Sequence, residues 1–377
     1  MNIAVVGAGI FGVAAALELR DRAHAVTLFE QGRAPYERAS STDTSKTIRR
    51  LYGRNATYVD LVERAAVKWR DWAARLGEPI YVRTGQLQIE RDFRPGSRIH
   101  DSWEFMSTRD TTVEILSTSD ARVRFPQFIY HEGETCLYDP WGGYIASGDA
   151  VAGLVRVARE SGVAVREDTP VTDVSEDSTG ARVRADGRAL PFDRVVVAAG
   201  VWIERLVPEV GRHIRPTRQE MAFFQPDDPG LLASGGMPVW AVNPEADGWY
   251  GHPLRRQGWV KVANDLRGDV VDPDAPRVVT PAFLDAARGF LAARIPALAR
   301  APLVDSRMCL YEETPDRHFI IDWAPGSQRI LVAGGGSGHG FKFGGSIGEV
   351  IADALEHRDG RDGELFRIGR RFGPAPP

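Results

Sequence analysis

Cysteine is almost absent: Cys136 and Cys309 are the only two in 377 residues. Two thiols give no disulfide framework, and such sparse use points to a reducing compartment with both thiols free. No apolar run approaches membrane-spanning length. The opening MNIAVVGAGIFG has no basic lead, apolar signal core or small-residue cleavage site, so a cytoplasmic location is expected. Charge of one sign is lacking too. Lys plus Arg number 47 against 51 Asp plus Glu, a net charge of -4 with pI about 6.1, which leaves no electrostatic footprint for nucleic acid or an anionic membrane. Repeats, low-complexity tracts and metal-ligand spacings are missing as well, so no metal is expected. The partner is expected to be a small molecule and the protein a monomer or small homo-oligomer. Apolar residues at 43% and charged residues at 26% then describe an ordinary globular chain, which excludes disordered and fibrous classes. Its length exceeds one ordinary core and implies two domains, or one interrupted by segments of another. Interruption is the preferred reading.

From Asn2 to Val6 the chain is mostly apolar and β-branched, then meets a glycine cluster. IFGVAAALELRDR follows at helical spacing, and then AVTLFE. Strand, tight turn, helix, strand opens a nucleotide-binding sheet. Apolar spacing predicts a helix over 58–76, stopped by Gly77. From 81 to 144 short alternating strands such as YVRTGQLQIE dominate, with no long helix signal. Ser147 is placed to cap a helix to Glu160, ended by Gly162. AVREDTPVTDVSED, ARVRAD and RVVVAAG then read as strands returning to the first domain. A second excursion begins near Pro216, with strands EMAFFQPD, MPVWAVN, WYGHP and GWVKVAND and a helix over 281–294, and closes near Asp305. The remainder holds RMCLYEETPDRHFIID, the strand RILVAGGG, the glycine-rich GGGSGHGFKFGG, a helix over 347–357 and a GPAPP tail expected to be loose. The domains divide accordingly into 1–80, 145–215 and 306–377 against 81–144 and 216–305.

Gly7, Gly9 and Gly12 form GxGxxG between a strand and a helix, where glycine permits a tight turn and close approach of backbone to a pyrophosphate. Glu30 ends the second strand, placed to accept ribose hydroxyls. An acid there disfavours a 2′-phosphate and hence NADP. The fingerprint alone leaves FAD and NAD open.

Four segments together resemble the monomeric sarcosine oxidase family of N-methyl amino acid oxidases, within the D-amino acid oxidase-like fold. They are the fingerprint, SSTDTSKTIRRLYG from Ser40, WYGHPLRRQGWVKVAND from Trp249, and RMCLYEETPDRHFIID followed by GGGSGHGFKFGGSIGEVIADALE. The implied fold is α/β, an FAD-binding Rossmann-like domain interleaved with a β-rich (α+β) substrate domain. The resemblance further implies cofactor contacts from Ile10, Phe11, Ser40, Ser41 and Val171, and from Gly336, Gly338, Gly340, Phe341 and Lys342. It also implies a covalent flavin on Cys309, whose position matches the flavin-bonded cysteine of the C-x-Y stretch. Composition alone reads Cys309 as a small buried hydrophobe.

Arg49 matches the arginine that clamps a substrate carboxylate, and Lys342 the second cation of that clamp; a guanidinium fork binds a carboxylate with two parallel bonds. Of the adjacent Arg49 and Arg50, at most one is expected to face the site. Lys261 matches the lysine that helps oxygen react, although as a strand lysine it is equally a solvent-facing residue. Tyr250 and Tyr311 match wall positions beside the substrate amine, where an aromatic face holds a methylammonium. His339 precedes the clamp lysine, with no proton-transfer role assigned. Two departures narrow the likeness. Lys46 stands where sarcosine oxidases carry arginine, and in that detail the segment is closer to fructosyl amino acid oxidases. Asp265 replaces an active-site histidine, and either holds a cationic or polyhydroxylated part of the substrate or pairs with Arg267. The expected reaction is oxidation of a secondary or N-substituted α-amino acid to an imine, with O2 reduced to H2O2. The alternatives are a flavin amine dehydrogenase using another acceptor, and an NAD-dependent oxidoreductase or binding module.

Overall fold

The computed structural model describes residues 1–109, 112–358 and 363–370; the GPAPP tail lies outside them. A six-stranded sheet runs in the order 320–323, 330–334, 194–197, 2–6, 25–29, 164–166. Its strands are parallel except for 320–323, which is antiparallel to its neighbour. Side-chain alternation sorts the first strand between two cores: Ile3 and Val5 join one, Ala4 and Val6 the other. The helices Ile10–Asp21, Ala56–Leu76, Ser147–Glu160 and Gly344–Leu355 close the first core, and an antiparallel meander of 171–176, 181–185 and 188–192 closes the second. Glycines set how near the last helix comes. A Cβ on Gly345 would lie 2.3 Å from the Ala65 carbonyl oxygen and one on Gly348 2.5 Å from that of Ala14, so this helix seats backbone to backbone on two others.

The second sheet has eight strands, ordered 303–313, 215–224, 260–264, 249–252, 239–242, 86–90, 135–139, 114–116. Its period of two decides what the site receives. Val260 and Val262 pack with Phe224, Trp240 and the helix Pro281–Arg294, while Ala263 joins Met221, Phe223 and Cys309 on the opposite face. Lys261, between the two valines, goes with that opposite face. Cys309 and Tyr311, two apart on one strand, and Tyr250 and His252, two apart on another, do the same.

The α/β class and the interleaving of two sheets along the chain are as expected. The helix over 58–76 runs Ala56–Leu76, with the Asn55 side chain accepting from the Tyr58 amide at 3.2 Å and Gly77 closing it at φ 67°. Elsewhere the structure corrects the reading. Residues 81–144 hold the helix Arg98–Arg109, whose buried Ile99, Ser102 and Met106 form a stripe too thin and polar to be heard. Ser147 starts its helix without capping it; its hydroxyl donates to the Asp43 carbonyl at 2.8 Å. Of the strands between 170 and 200, only Arg194–Val197 enters the parallel sheet; the others form the meander. The return placed at 306 falls inside Leu303–Glu313, which pairs along its length with Arg215–Phe224, so the Cys309 strand belongs to the eight-stranded sheet. The last helix begins at Gly344, three residues early. Among the described residues no helix is long and apolar enough to cross a membrane.

Candidate active site

Two cavities, of about 420 and 490 Å³, share Lys46, Tyr311, Gly338 and Phe341 in their walls. The first gathers most of the expected cofactor residues: Gly7, Gly9, Ile10, Phe11 and Glu30 from the fingerprint unit, Ser40 and Ser41, Val171, and Gly336, Gly338, Gly340 and Phe341. Gly7 has φ 103°, and a Cβ there would meet the Ala198 carbonyl oxygen at 2.5 Å. Gly12 does not line the cavity. Its Cβ would sit 1.8 Å from the Gly7 carbonyl oxygen, so its hydrogen is what lets the helix close on the turn. The helix N-cap, Gly9, offers no side-chain cap, and Ser41 Oγ accepts from the Ile10 amide at 3.0 Å. Unsatisfied amides with the helix dipole behind them suit an anion. Glu30 accepts from the Ala8 amide at 2.8 Å, and burial pushes its carboxyl up. A bare-backbone cradle, a helix amino end and an acid at the second strand fit the ribose and pyrophosphate of a dinucleotide.

Cys309 is buried and free, with Sγ 3.8 Å from the Ser40 carbonyl oxygen. Its neighbours Leu310 and Tyr311 line the first cavity; Cys309 is not among the described residues that line either one. Lys342, expected at the cofactor as well as the substrate, lines the second cavity alone.

The second cavity collects the rest. The Arg49 guanidinium lies 4.3 Å over the Tyr52 ring and donates to the Leu51 carbonyl. Arg50 turns away and grips Asp139 with two bonds, at 3.1 and 2.8 Å, so one of the adjacent arginines faces the cavity. Lys342 is buried and donates to the His339 carbonyl at 2.8 Å; burial, with Arg49 beside it, holds its ammonium well below the ordinary value. His339 is pinned on both ring nitrogens, Nε2 at 2.9 Å from the Arg317 carbonyl and Nδ1 at 3.3 Å from Tyr52 Oη, and burial keeps it neutral. Tyr250 and Tyr311 stand together, and burial raises both phenols. Tyr311 donates to Asp265 at 2.9 Å. Asp265 does not pair with Arg267 as sequence allowed: the nearest carboxylate to Arg267 is Glu313 at 3.7 Å, while Arg317 lies 4.0 Å from Asp265.

Lys261 is 2% exposed. It donates to Asp43 and, at 3.0 Å, to the Ser45 carbonyl, and its ammonium lies 5.7 Å over the Tyr250 ring. The solvent-facing alternative is thereby removed. Lys46 shares the same carboxylate at 3.3 Å. Burial alone would raise the Asp43 carboxyl, but Lys261 and Lys46 hold it far below the usual range. Burial lowers Lys261 to about 8. Beside it His252, bracketed by Ser45 at 2.5 Å and Thr47 at 2.9 Å, is kept neutral by burial and by Lys261. Two ammonium groups on one carboxylate leave one positive charge at the junction of the cavities.

Sequence reasoning missed Asp43, His252, Arg98 and Arg317. Asp43 sits three residues before Lys46 in irregular chain, where no periodicity marks a buried carboxylate. His252 had the one available signal, being two residues after Tyr250 in a strand.

A dinucleotide cleft opening onto a second, cation-lined cavity defines a flavin or nicotinamide oxidoreductase by architecture. Residues 2–354 match the family model described as FAD dependent oxidoreductase, and the chain belongs to that family. FAD is therefore the cofactor, and the NAD alternative is withdrawn. The chain is 28% identical over 371 residues to an N-methyl-L-tryptophan oxidase of Salmonella arizonae, covering 98% of each. Its fold matches glycine oxidase from Geobacillus kaustophilus at TM-score 0.84 and 22% identity, covering 99% of each. It also matches L-proline dehydrogenase from P. horikoshii at TM-score 0.85 and 20% identity, covering 97% and 96%.

Proposed function

We propose that the protein oxidises a secondary or N-substituted α-amino acid to an imine, with O2 as acceptor and H2O2 as product. The observation that carries this reading is the sharing of one cavity by Arg49, Lys342 and Lys261, with Lys46 in the wall common to the cofactor cleft. The named relative supports it: an N-methyl-L-tryptophan oxidase matches nearly end to end. Held by the fingerprint turn, Glu30 and the glycines at 336, 338 and 340, FAD would supply two-electron oxidation of the C–N bond and two-electron reduction of O2, the substrate's two hydrogens, one from carbon and one from nitrogen, ending on H2O2. The chain's residues do the rest. The Arg49 fork and the Lys342 ammonium take the substrate carboxylate, which turns the α-carbon and amine toward Tyr311, Gly338 and the cleft. Tyr250 and Tyr311 stay neutral phenols and offer a face to the amine. The Lys46–Asp43–Lys261 group keeps a net positive charge where negative charge develops on oxygen, stabilising it in a buried setting. The imine leaves and hydrolyses in water.

The division into a discontinuous nucleotide domain and an inserted substrate domain, and residence in the cytoplasm, belong to the same reading. So does a thioether from Cys309, whose neighbours Leu310 and Tyr311 line the cofactor cleft, to the flavin. Acid precipitation decides that point: a pellet that stays yellow in the parent and loses its colour in Cys309→Ala is expected, and colourless pellets from both remove the tether. For the activity, N-methyl, cyclic and glycated amino acids are screened in air with peroxide as readout. Arg49→Ala should weaken amino-acid binding by about 1.5–3 kcal/mol, the value of a charge-assisted bond. Rapid substrate-dependent bleaching with no peroxide in air would make the protein a dehydrogenase instead.

A further inference from the structure

Beyond the Arg49–Lys342 clamp, the second cavity carries more positive charge than one carboxylate can answer. Arg98, Arg267 and Arg317 enter its wall from three separate stretches of chain. Arg98 is satisfied, with Nε 2.7 Å from Glu245. Arg267 is more than half exposed to solvent, with its nearest carboxylate at 3.7 Å. Arg317 is different. Asp265 and Glu313 both stand 4.0 Å away, outside hydrogen-bond reach, and Nε is buried with no partner. Its guanidinium donates at 3.2 Å to the Ser337 carbonyl and makes no other hydrogen bond among the described residues. The residue is also held in place: its backbone is left-handed at φ 59°, and its carbonyl is 2.9 Å from His339 Nε2. A planar fork with unused donors, fixed at a cavity wall, matches the two oxygens of a carboxylate.

We propose that the preferred substrate carries a second anionic group on its side chain, a carboxylate or comparable oxyanion, and that Arg317 receives it. The inference rests on the amino-acid oxidase reading above, and it names the substrate class for that site. Arg98 and Arg267 add to the local potential. Among the described residues, Asp265 is the one carboxylate beside the fork in this wall; one of its oxygens is engaged by Tyr311 and the other stands 4.0 Å from Arg317, outside hydrogen-bond reach.

The test uses the holoenzyme and two non-reactive probes, glutarate and butyrate, followed by the shift they cause in the bound flavin's absorbance. Glutarate is expected to bind at least tenfold more tightly than butyrate. Arg317→Met should erase that preference, and Arg317→Lys should restore part of it. In turnover, the KM for N-methyl-L-glutamate should lie at least tenfold below that for N-methyl-L-leucine, and the ratio should collapse in Arg317→Met. Equal binding of the two probes by the parent overturns the proposal even if no variant folds, and so does a preference that survives in Arg317→Met. The two readings fail separately. Oxidation of N-methyl-L-leucine without any preference for the diacid sinks this inference alone. Tight glutarate binding with no N-alkyl amino acid oxidised sinks the oxidase reading and leaves an anion site at Arg317.

Discussion

The two cavities differ in what builds them. The cofactor cleft is built around bare backbone: the fingerprint turn admits no side chain at Gly7 or Gly12, and Gly336, Gly338 and Gly340 line it from a single turn near the other end of the chain. The substrate cavity is walled by charged side chains brought from the loop after residue 40, a β-hairpin near 250–265, a bend at 317 and the turn before the last helix. Backbone walls tolerate little change because a Cβ has nowhere to go. Side-chain walls can be rewritten one residue at a time while the fold stays. Lys46 and Asp265, the two departures from the sarcosine oxidase pattern, stand where such rewriting would alter substrate choice.

The most severe way to test the contrast is Gly12→Val. With a Cβ placed 1.8 Å from the Gly7 carbonyl oxygen, helix and turn must part, at a cost of about 3 kcal/mol or more. Purified protein should be colourless, and its absorbance spectrum checks this directly. A variant that retained stoichiometric FAD would break the claim that the cleft is made of backbone.

That difference in construction also explains which parts could be read from sequence. The fingerprint, Glu30 and the helix over 56–76 are local patterns, and each lands where its spacing puts it. Lys261 could be named but not placed, since alternation says only that it opposes Val260 and Val262; which face is buried depends on the helix 281–294, packed from far along the chain. Asp43 was invisible because its meaning comes wholly from partners 218 residues away in sequence and in the same loop. Arg317 was hidden in an ordinary TPDRHF run, where nothing announces a left-handed arginine. The boundary expected at 306 falls within the strand of Cys309 for a related reason: an apolar strand does not carry the identity of its neighbour.

The next test is Lys261→Met, which removes the charge and keeps the length. Reoxidation of the reduced enzyme by oxygen, followed by stopped flow, should slow by about 10²–10³-fold, the scale for loss of one preorganised electrostatic partner. Anaerobic reduction by substrate should change far less, because the clamp on Arg49 and Lys342 is untouched. Equal slowing of both steps would show that the two cavities do not divide the work.

The mildest test leaves the chain unaltered and titrates Lys261. Burial lowers its ammonium to about 8, so the group is charged below that pH and neutral above it. Reoxidation should therefore be fast on the acid side and fall as pH rises through about 8, with the rate at pH 9 about tenfold below that at pH 7. His252 adds no inflection of its own, being held neutral by burial and by Lys261 itself. Asp43 supplies the charge that keeps the lysine's value from falling further, so Asp43→Asn should move the inflection to lower pH. An inflection that stayed put would take the oxygen step away from this lysine, and a parent profile with no inflection at all would point to Lys46, whose ammonium is held above its ordinary value despite burial and keeps its charge throughout that range.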